Sequence, residues 1–300
     1  MKDKSLFSGI MPALLTPYDE HQRLIRPTVQ KVMDRCYDAG VTGFYVCGGA
    51  GEGPVLRSSL RMEMTEAVME ANAHRGKIIV HVGSPNILDT IELAKHAAAS
   101  GADAIASLAP TYQFNYTPSE LEDYYRTLAG SVDLPVMVYG TDKIPKGAIV
   151  GLMTNLMEVD NIIGLKYTMD NYADLLTLSR LNDGNICVIN GPDSTLVCGL
   201  LMGASGGIGA TYSIMPNLYV DIYEKFISGD ITGAVEVQAL ANKAIASLLK
   251  YSKNASIKSV KAVLRSFGLE YGHAAYPAER YDAETEAALL GELRHLGVIA

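Results

Sequence analysis

Short apolar runs alternate with longer amphipathic stretches along almost the whole chain. The first run, Gly9 to Leu15, ends at Thr16-Pro17-Tyr18, and a helical pattern follows from about Arg26 to Ala39, where Gly40 stops it. Gly43 to Cys47 opens a second strand–helix unit with a helix near Ser58 to His74, and Lys77 to Val82 opens a third with Ile87 to Ser100. Ala104 to Leu108 precedes a helix over Pro118 to Ala129, and Leu134 to Tyr139 precedes one over Lys146 to Leu156. A strand over Asn161 to Thr168 leads to a helix near Tyr172 to Leu181. Ile186 to Asn190 then leads to one near Ser194 to Met202, and Gly206 to Gly209 is the last apolar run. Each strand is short, as buried parallel strands are, and each connection is helical.

Repeated β-α order forces parallel strands joined by right-handed crossovers, and eight such units close most economically into an α/β (β/α)8 TIM barrel. No linker interrupts them. Residues 1–230 are therefore expected to form the barrel and 231–300 a C-terminal helical extension, with breaks near Ser252-Lys253-Asn254 and between Gly268 and Pro277.

Three hundred residues with 48% apolar and 19% charged side chains can bury a large core, which argues against disorder. The net charge of −8 repels phosphate backbones and anionic lipid, so neither nucleic acid nor membrane is an expected partner. Met1-Lys2-Asp3-Lys4-Ser5-Leu6 lacks the apolar stretch of a signal peptide, and the chain reads as soluble and cytoplasmic. Cys36, Cys47, Cys187 and Cys198 are isolated, and His21, His74, His81, His96, His273 and His295 are scattered without ligand spacing. Neither zinc nor a metal-dependent aldolase is indicated.

Within this frame the strand Asn161 to Thr168 stands out, because Lys166 lies at its C-terminal end. Strict alternation puts Ile162, Gly164 and Lys166 on one face and Ile163 and Leu165 on the other. A lysine beside an apolar wall and the gap left by Gly164 is poorly hydrated, and its neutral amine can form an imine with a carbonyl substrate. The competing reading is a strand-end lysine reaching into solvent. The barrel weighs against that, since barrel chemistry gathers where strands end, whereas Lys77 begins its strand and belongs to the opposite rim. The same rule selects Tyr139 as a phenol able to move a proton, and places Tyr112 over the same end after the fourth strand. The loop Gly48-Gly49-Ala50-Gly51-Glu52-Gly53 fails the dinucleotide spacing, since Pro54 stands where a third glycine would be needed. Backbone N–H groups there suit a small carboxylate instead, or the loop is simply a tight turn. Cys47 reads as a packed thiol.

Thr16-Pro17, Gly51-Glu52, Pro110 with Tyr112, Tyr139, Gly164-Leu165-Lys166 and Gly206-Gly207-Ile208-Gly209 resemble, in this order, the motifs of the dihydrodipicolinate synthase and N-acetylneuraminate lyase family. The resemblance spans nearly the whole chain. It implies a pyruvate-dependent class I aldolase without a cofactor, a Schiff base on Lys166, proton transfer by Tyr139, and Tyr112 reaching a neighbouring subunit's site in a homotetramer. Asn190-Gly191-Pro192-Asp193 and the run from Gly207 through Ile208 to Tyr212 resemble the sialic acid lyases, which implies that Gly191, Asp193 and Thr168 hold sugar hydroxyls. The synthase branch carries an arginine shortly after the tyrosine, and Tyr139 to Pro145 offers none.

Several departures fall in the expected site. Relative to the family it resembles, Gly49 and Ala50 replace two adjacent hydroxyl residues, so the hydroxyl that links the two tyrosines is missing, Gly140 replaces an Asn, and Ser194 and Ala210 replace a sugar-binding acid and serine. The expected substrate contacts are thus Gly49, Ala50, Thr168, Gly191, Asp193, Ser194 and Ile208, and a polar sugar tail loses partners at positions 194 and 210. Synthase-like condensation of pyruvate with an aldehyde is the alternative within the family. A phosphate-binding barrel enzyme using Gly203 to Gly209, or a non-catalytic barrel that binds a keto acid or sugar, are the alternatives outside it.

Overall fold

The computed structural model describes residues 6–110, 115–252 and 256–299. Eight parallel strands form one sheet: β1 (Gly9–Pro12), β2 (Gly43–Val46), β3 (Lys77–His81), β4 (Ala104–Leu108), β5 (Val136–Gly140), β6 (Ile162–Tyr167), β7 (Cys187–Asn190) and β8 (Gly206–Gly209). Each pairs with its neighbour in sequence, and β8 pairs with β1. The ring closes between β1 and β2 through a bridge from Ala13 to Tyr45, where the Leu14 N–H donates to the Tyr45 carbonyl at 2.9 Å. This is the expected TIM barrel.

Helices follow each strand: α1 (Arg26–Asp38), α2 (Ser58–Asn72), α3 (Ile87–Ala99), α4 (Pro118–Ala129), α5 (Ile149–Leu156), α6 (Tyr172–Leu178), α7 (Leu196–Leu201) and α8 (Pro216–Ile227). Local chemistry sets several starts. Thr117 and Glu120 form a reciprocal capping box on α4, while Asn86 and Asn171 cap α3 and α6 with their side chains. Helices α5, α6 and α7 are each shorter than the apolar pattern suggests, α6 ending at Leu178 and not Leu181. The left-handed Gly147 delays α5 to Ile149, and Asp193–Thr195 forms a 3-10 turn ahead of α7. Beyond the barrel, α9 (Ile231–Ser252), α10 (Ser256–Ser266) and α11 (Ala283–His295) build the helical extension, α9 packing on α8 and α10.

Two apolar layers result from the alternation of strand side chains. Phe7, Met11, Ile79, Met137, Ile163 and Ile208 fill the barrel interior, while a larger cluster packs the outer strand faces against the helices. One expected pattern is corrected. The β5–β6 pairing runs Val136 to Ile162 and then Met137 to Gly164, so Ile163 is a β-bulge. Gly164 and Lys166 still share the inward face, but Ile162 points outward with Leu165, and Ile163 points in. Gly164 is needed there, because a Cβ would overlap the Cys187 carbonyl of β7.

Candidate active site

Strand β6 carries Lys166 to the C-terminal mouth of the barrel, where it pairs in register with Tyr139 of β5. Lys166 is 5% exposed, which rules out the solvent-directed reading. Its Nζ donates a hydrogen bond to the Tyr139 hydroxyl at 3.2 Å. Tyr139 and Tyr45 of β2 also flank that nitrogen with their rings, whose centres lie 4.3 and 4.6 Å away. The two rings meet edge to face at 6.0 Å, and the His81 ring of β3 stands edge-on to Tyr139 at 6.1 Å. By contrast Lys77 sits at the opposite rim, where its ammonium bonds Asp103 at 2.8 Å.

Burial governs the titrating groups beneath this cluster. It pushes the Tyr45 phenol well above its ordinary range, and the hydroxyl finds no hydrogen-bond partner among the described residues. Burial, then the charges of Arg61 and Lys166, push the His81 imidazole well below its ordinary value. His81 Nε2 accepts from the Leu108 N–H at 3.1 Å, so the neutral ring carries its proton on Nδ1, with the Cys47 backbone beside the ring. Arg61 is itself buried, donating to the Gly83 and His81 carbonyls at 3.1 and 2.8 Å. The Cys47 thiol is pushed up to about 11 by burial, against the opposing influence of Arg61, as a packed thiol should be.

The glycine turn after β2 faces the same mouth. None of the backbone N–H groups of Gly49, Ala50 and Gly51 donates to another described residue. A Cβ at Gly49 would meet nothing within 4 Å, so open space lies before it. Ala50 packs against the interior cluster. The turn therefore presents a row of donors not used within the fold, suited to an anion's oxygens. It lies under tension at both ends, since Cys47 and Glu52 adopt left-handed φ values of 58° and 59°.

On the far side, Thr168 Oγ1 is buried without a partner among the described residues, and a Cβ at Gly191 would overlap it. Thr168 and Ser194 line a cavity of about 580 Å³ together with Asp142, Ile144, Met169 and Tyr172. Asp193 turns its carboxylate to Thr211, accepting from that residue's N–H at 2.8 Å and its hydroxyl at 2.6 Å. Burial raises the Asp193 carboxyl above its ordinary value, with the Thr211 hydrogen bonds opposing. The Ile208 side chain lies wholly within the interior core, so it contributes packing. Tyr112 lies outside the described residues. Sequence reasoning missed Tyr45, His81 and Arg61. The available signal, for Tyr45 and His81, was their place near the C-terminal ends of β2 and β3; nothing local marked which side chains turn inward.

These elements can do imine chemistry: a buried amine, a phenol in contact with it, and a donor row for a carboxylate meet at one mouth. Among the described residues no group of three or more His, Cys, Asp or Glu is arranged to hold a metal ion. No helix among them is long and apolar enough to cross a membrane. The pattern described as the dihydrodipicolinate synthetase family matches residues 6–295. A protein named N-acetylneuraminate lyase from Rhizobium meliloti is 32% identical over 283 residues, covering 94% of this chain and 92% of the relative. The wild-type sialic acid aldolase of Ruminococcus gnavus superposes with a TM-score of 0.91 at 26% identity, covering 97% of each chain. A prophage protein of the dihydrodipicolinic acid synthase family from E. coli K12, in complex with pyruvate, superposes at 0.89 with 27% identity, covering 98% of this chain and 99% of its own.

Proposed function

Because the chain belongs to the dihydrodipicolinate synthetase family, we propose that it is a class I aldolase. Through an imine on Lys166 it cleaves or forms a carbon–carbon bond next to a 2-oxo acid, with pyruvate the first candidate and a sialic acid or related keto-deoxy sugar the larger substrate. The observation that carries this reading is the buried Lys166 Nζ at 3.2 Å from the Tyr139 hydroxyl. In the cleavage direction the neutral Lys166 amine attacks the keto carbon, and with one proton taken up from solvent the keto oxygen leaves as water, giving an iminium. The bond to the aldehyde half then breaks with its electron pair drawn into the iminium, forming an enamine, while the Tyr139 phenol accepts the aldehyde's hydroxyl proton as it passes its own to the enamine carbon. Hydrolysis then returns pyruvate and free lysine.

The 2-oxo acid carboxylate lies on the free N–H groups of Gly49, Ala50 and Gly51. The aldehyde half occupies the cavity lined by Thr168 and Ser194, where the Thr168 hydroxyl, without a partner among the described residues, meets a substrate hydroxyl and Gly191 leaves it room. Asp193, near enough for its charge to act on Lys166, holds a further substrate hydroxyl. Lysine supplies the electron sink, so no cofactor is called for. A cytoplasmic homotetramer, with Tyr112 entering a neighbour's site, completes the proposal.

The test is borohydride reduction in the presence of pyruvate, read by intact mass and peptide mapping, with Lys166→Ala as control. An adduct on Lys166, absent from the control, supports the reading, and a panel of sialic and other deoxy-keto sugars then identifies the aldehyde. No adduct in folded protein sinks it in favour of a different substrate or a binding-only barrel.

A further inference from the structure

Glu52 closes the glycine turn, yet its side chain points away from the mouth into a buried network. Its Oε2 accepts from Lys261 Nζ at 2.5 Å and from the Tyr18 hydroxyl at 2.8 Å, and its Oε1 accepts from the Ala275 N–H at 2.6 Å. Lys261, on α10, is fully buried. Its Nζ also donates to the His273 carbonyl at 3.0 Å and lies 3.9 Å from the centre of the Tyr18 ring. Every group that holds Glu52 thus comes from the loop after β1 or from the C-terminal extension.

A buried ion pair is a poor source of stability, because apolar residues of the same shape serve as well. Its chemistry suits orientation instead. Glu52 sits in the left-handed region without being glycine, a conformation that persists only when the surroundings over-determine it. Its own N–H donates to the Gly49 carbonyl at 3.0 Å, and the Gly53 N–H to the Gly48 carbonyl at 3.0 Å. Thr16 Oγ1 clamps the Gly51 carbonyl at 2.6 Å. With the carbonyls so engaged, the N–H groups of Gly49 to Gly51 are left free at the mouth.

We propose that Lys261 is a positioning residue: by gripping Glu52 from helix α10 it sets the Gly49–Ala50–Gly51 turn to receive the carboxylate of the 2-oxo acid. This rests on the aldolase reading above. The extension thereby reaches the keto-acid half of the site through one carboxylate, 209 residues away in sequence. Lys166 and Tyr139 lie outside the network, so the imine step itself is untouched.

The experiment compares wild type, Lys261→Met, and Lys261→Met with Glu52→Gln. The double variant leaves no unpaired buried charge, which keeps a folded protein available if the single variant fails to fold. Borohydride trapping of pyruvate is titrated, separating the half-saturating concentration from the extent of adduct at saturation. The expected result is a half-saturating pyruvate concentration raised at least tenfold, with the saturated extent within twofold of wild type. A half-saturation unchanged in the folded double variant overturns the positioning role, as does a loss of extent alone. Absence of adduct in the wild type overturns the aldolase reading and this one with it.

Discussion

The Lys166 Nζ lies 4.6 Å from the centre of the Tyr45 ring, on strands that approach each other only across the barrel. With Tyr139 at 4.3 Å the nitrogen has two aromatic faces, which stabilise a cation by about 2 kcal/mol when desolvated. That favours the protonated imine. Tyr45→Leu is expected to lower kcat about tenfold or more, while Tyr45→Phe keeps it within about threefold. The Phe variant also removes a buried hydroxyl that has no partner among the described residues, so it should raise stability by about 1 kcal/mol in urea unfolding. Equal loss of activity in both variants would assign the effect to the hydroxyl.

Tyr139 contacts the amine but is expected to be dispensable for forming the imine. Tyr139→Phe should reduce turnover by about 10²- to 10⁴-fold, the usual span for a lost general acid or base. Pyruvate trapping on Lys166 should survive. Single-turnover kinetics beside adduct mass separates the two steps, and parallel loss of both would refute proton transfer by this phenol.

Two glycines of the site should respond oppositely to a side chain. A Cβ at Gly49 meets nothing within 4 Å, so Gly49→Ser should fold with stability changed by less than about 0.5 kcal/mol and add a hydroxyl to the mouth. A Cβ at Gly191 would overlap Thr168 Oγ1, and Gly191→Ala should raise KM for the larger substrate. Thermal melts and steady-state kinetics with the same substrate test the contrast.

His81 carries a pH signature. Its native value is depressed by burial, whereas the unfolded chain titrates near about 6.5. Between the native value and about 6.5 the unfolded state binds more protons, so this contribution is full above about 6.5 and is lost as pH falls below it. The slope reaches at most about 1.4 kcal/mol per pH unit. His81→Gln retains an acceptor for the Leu108 N–H and should flatten that part of the pH–stability curve in denaturant melts. An unchanged curve would show that other groups set it.

Much of the fold was legible because its signals are local. Apolar runs of strand length, Gly40 after a helix, and the capping pair Thr117 and Glu120 each act within a few residues. Ile163 shows where local rules stop: alternation assigns it the outer face, and only pairing with β5 shows the bulge that turns it inward. Tyr45 shows another limit. Every residue of β2 is buried, so no polar contrast along the strand marks the inward positions.

By itself, then, the sequence determined the order of strands and helices, the barrel that order implies, and the rim on which Lys166 and Tyr139 lie, because periodicity and chain direction are written residue by residue. Only the tertiary structure decided that Tyr45 faces Lys166 and that Lys261 grips Glu52. Such contacts join residues far apart in sequence. They depend on strand register, ring closure and the docking of the C-terminal helices, which no local pattern encodes.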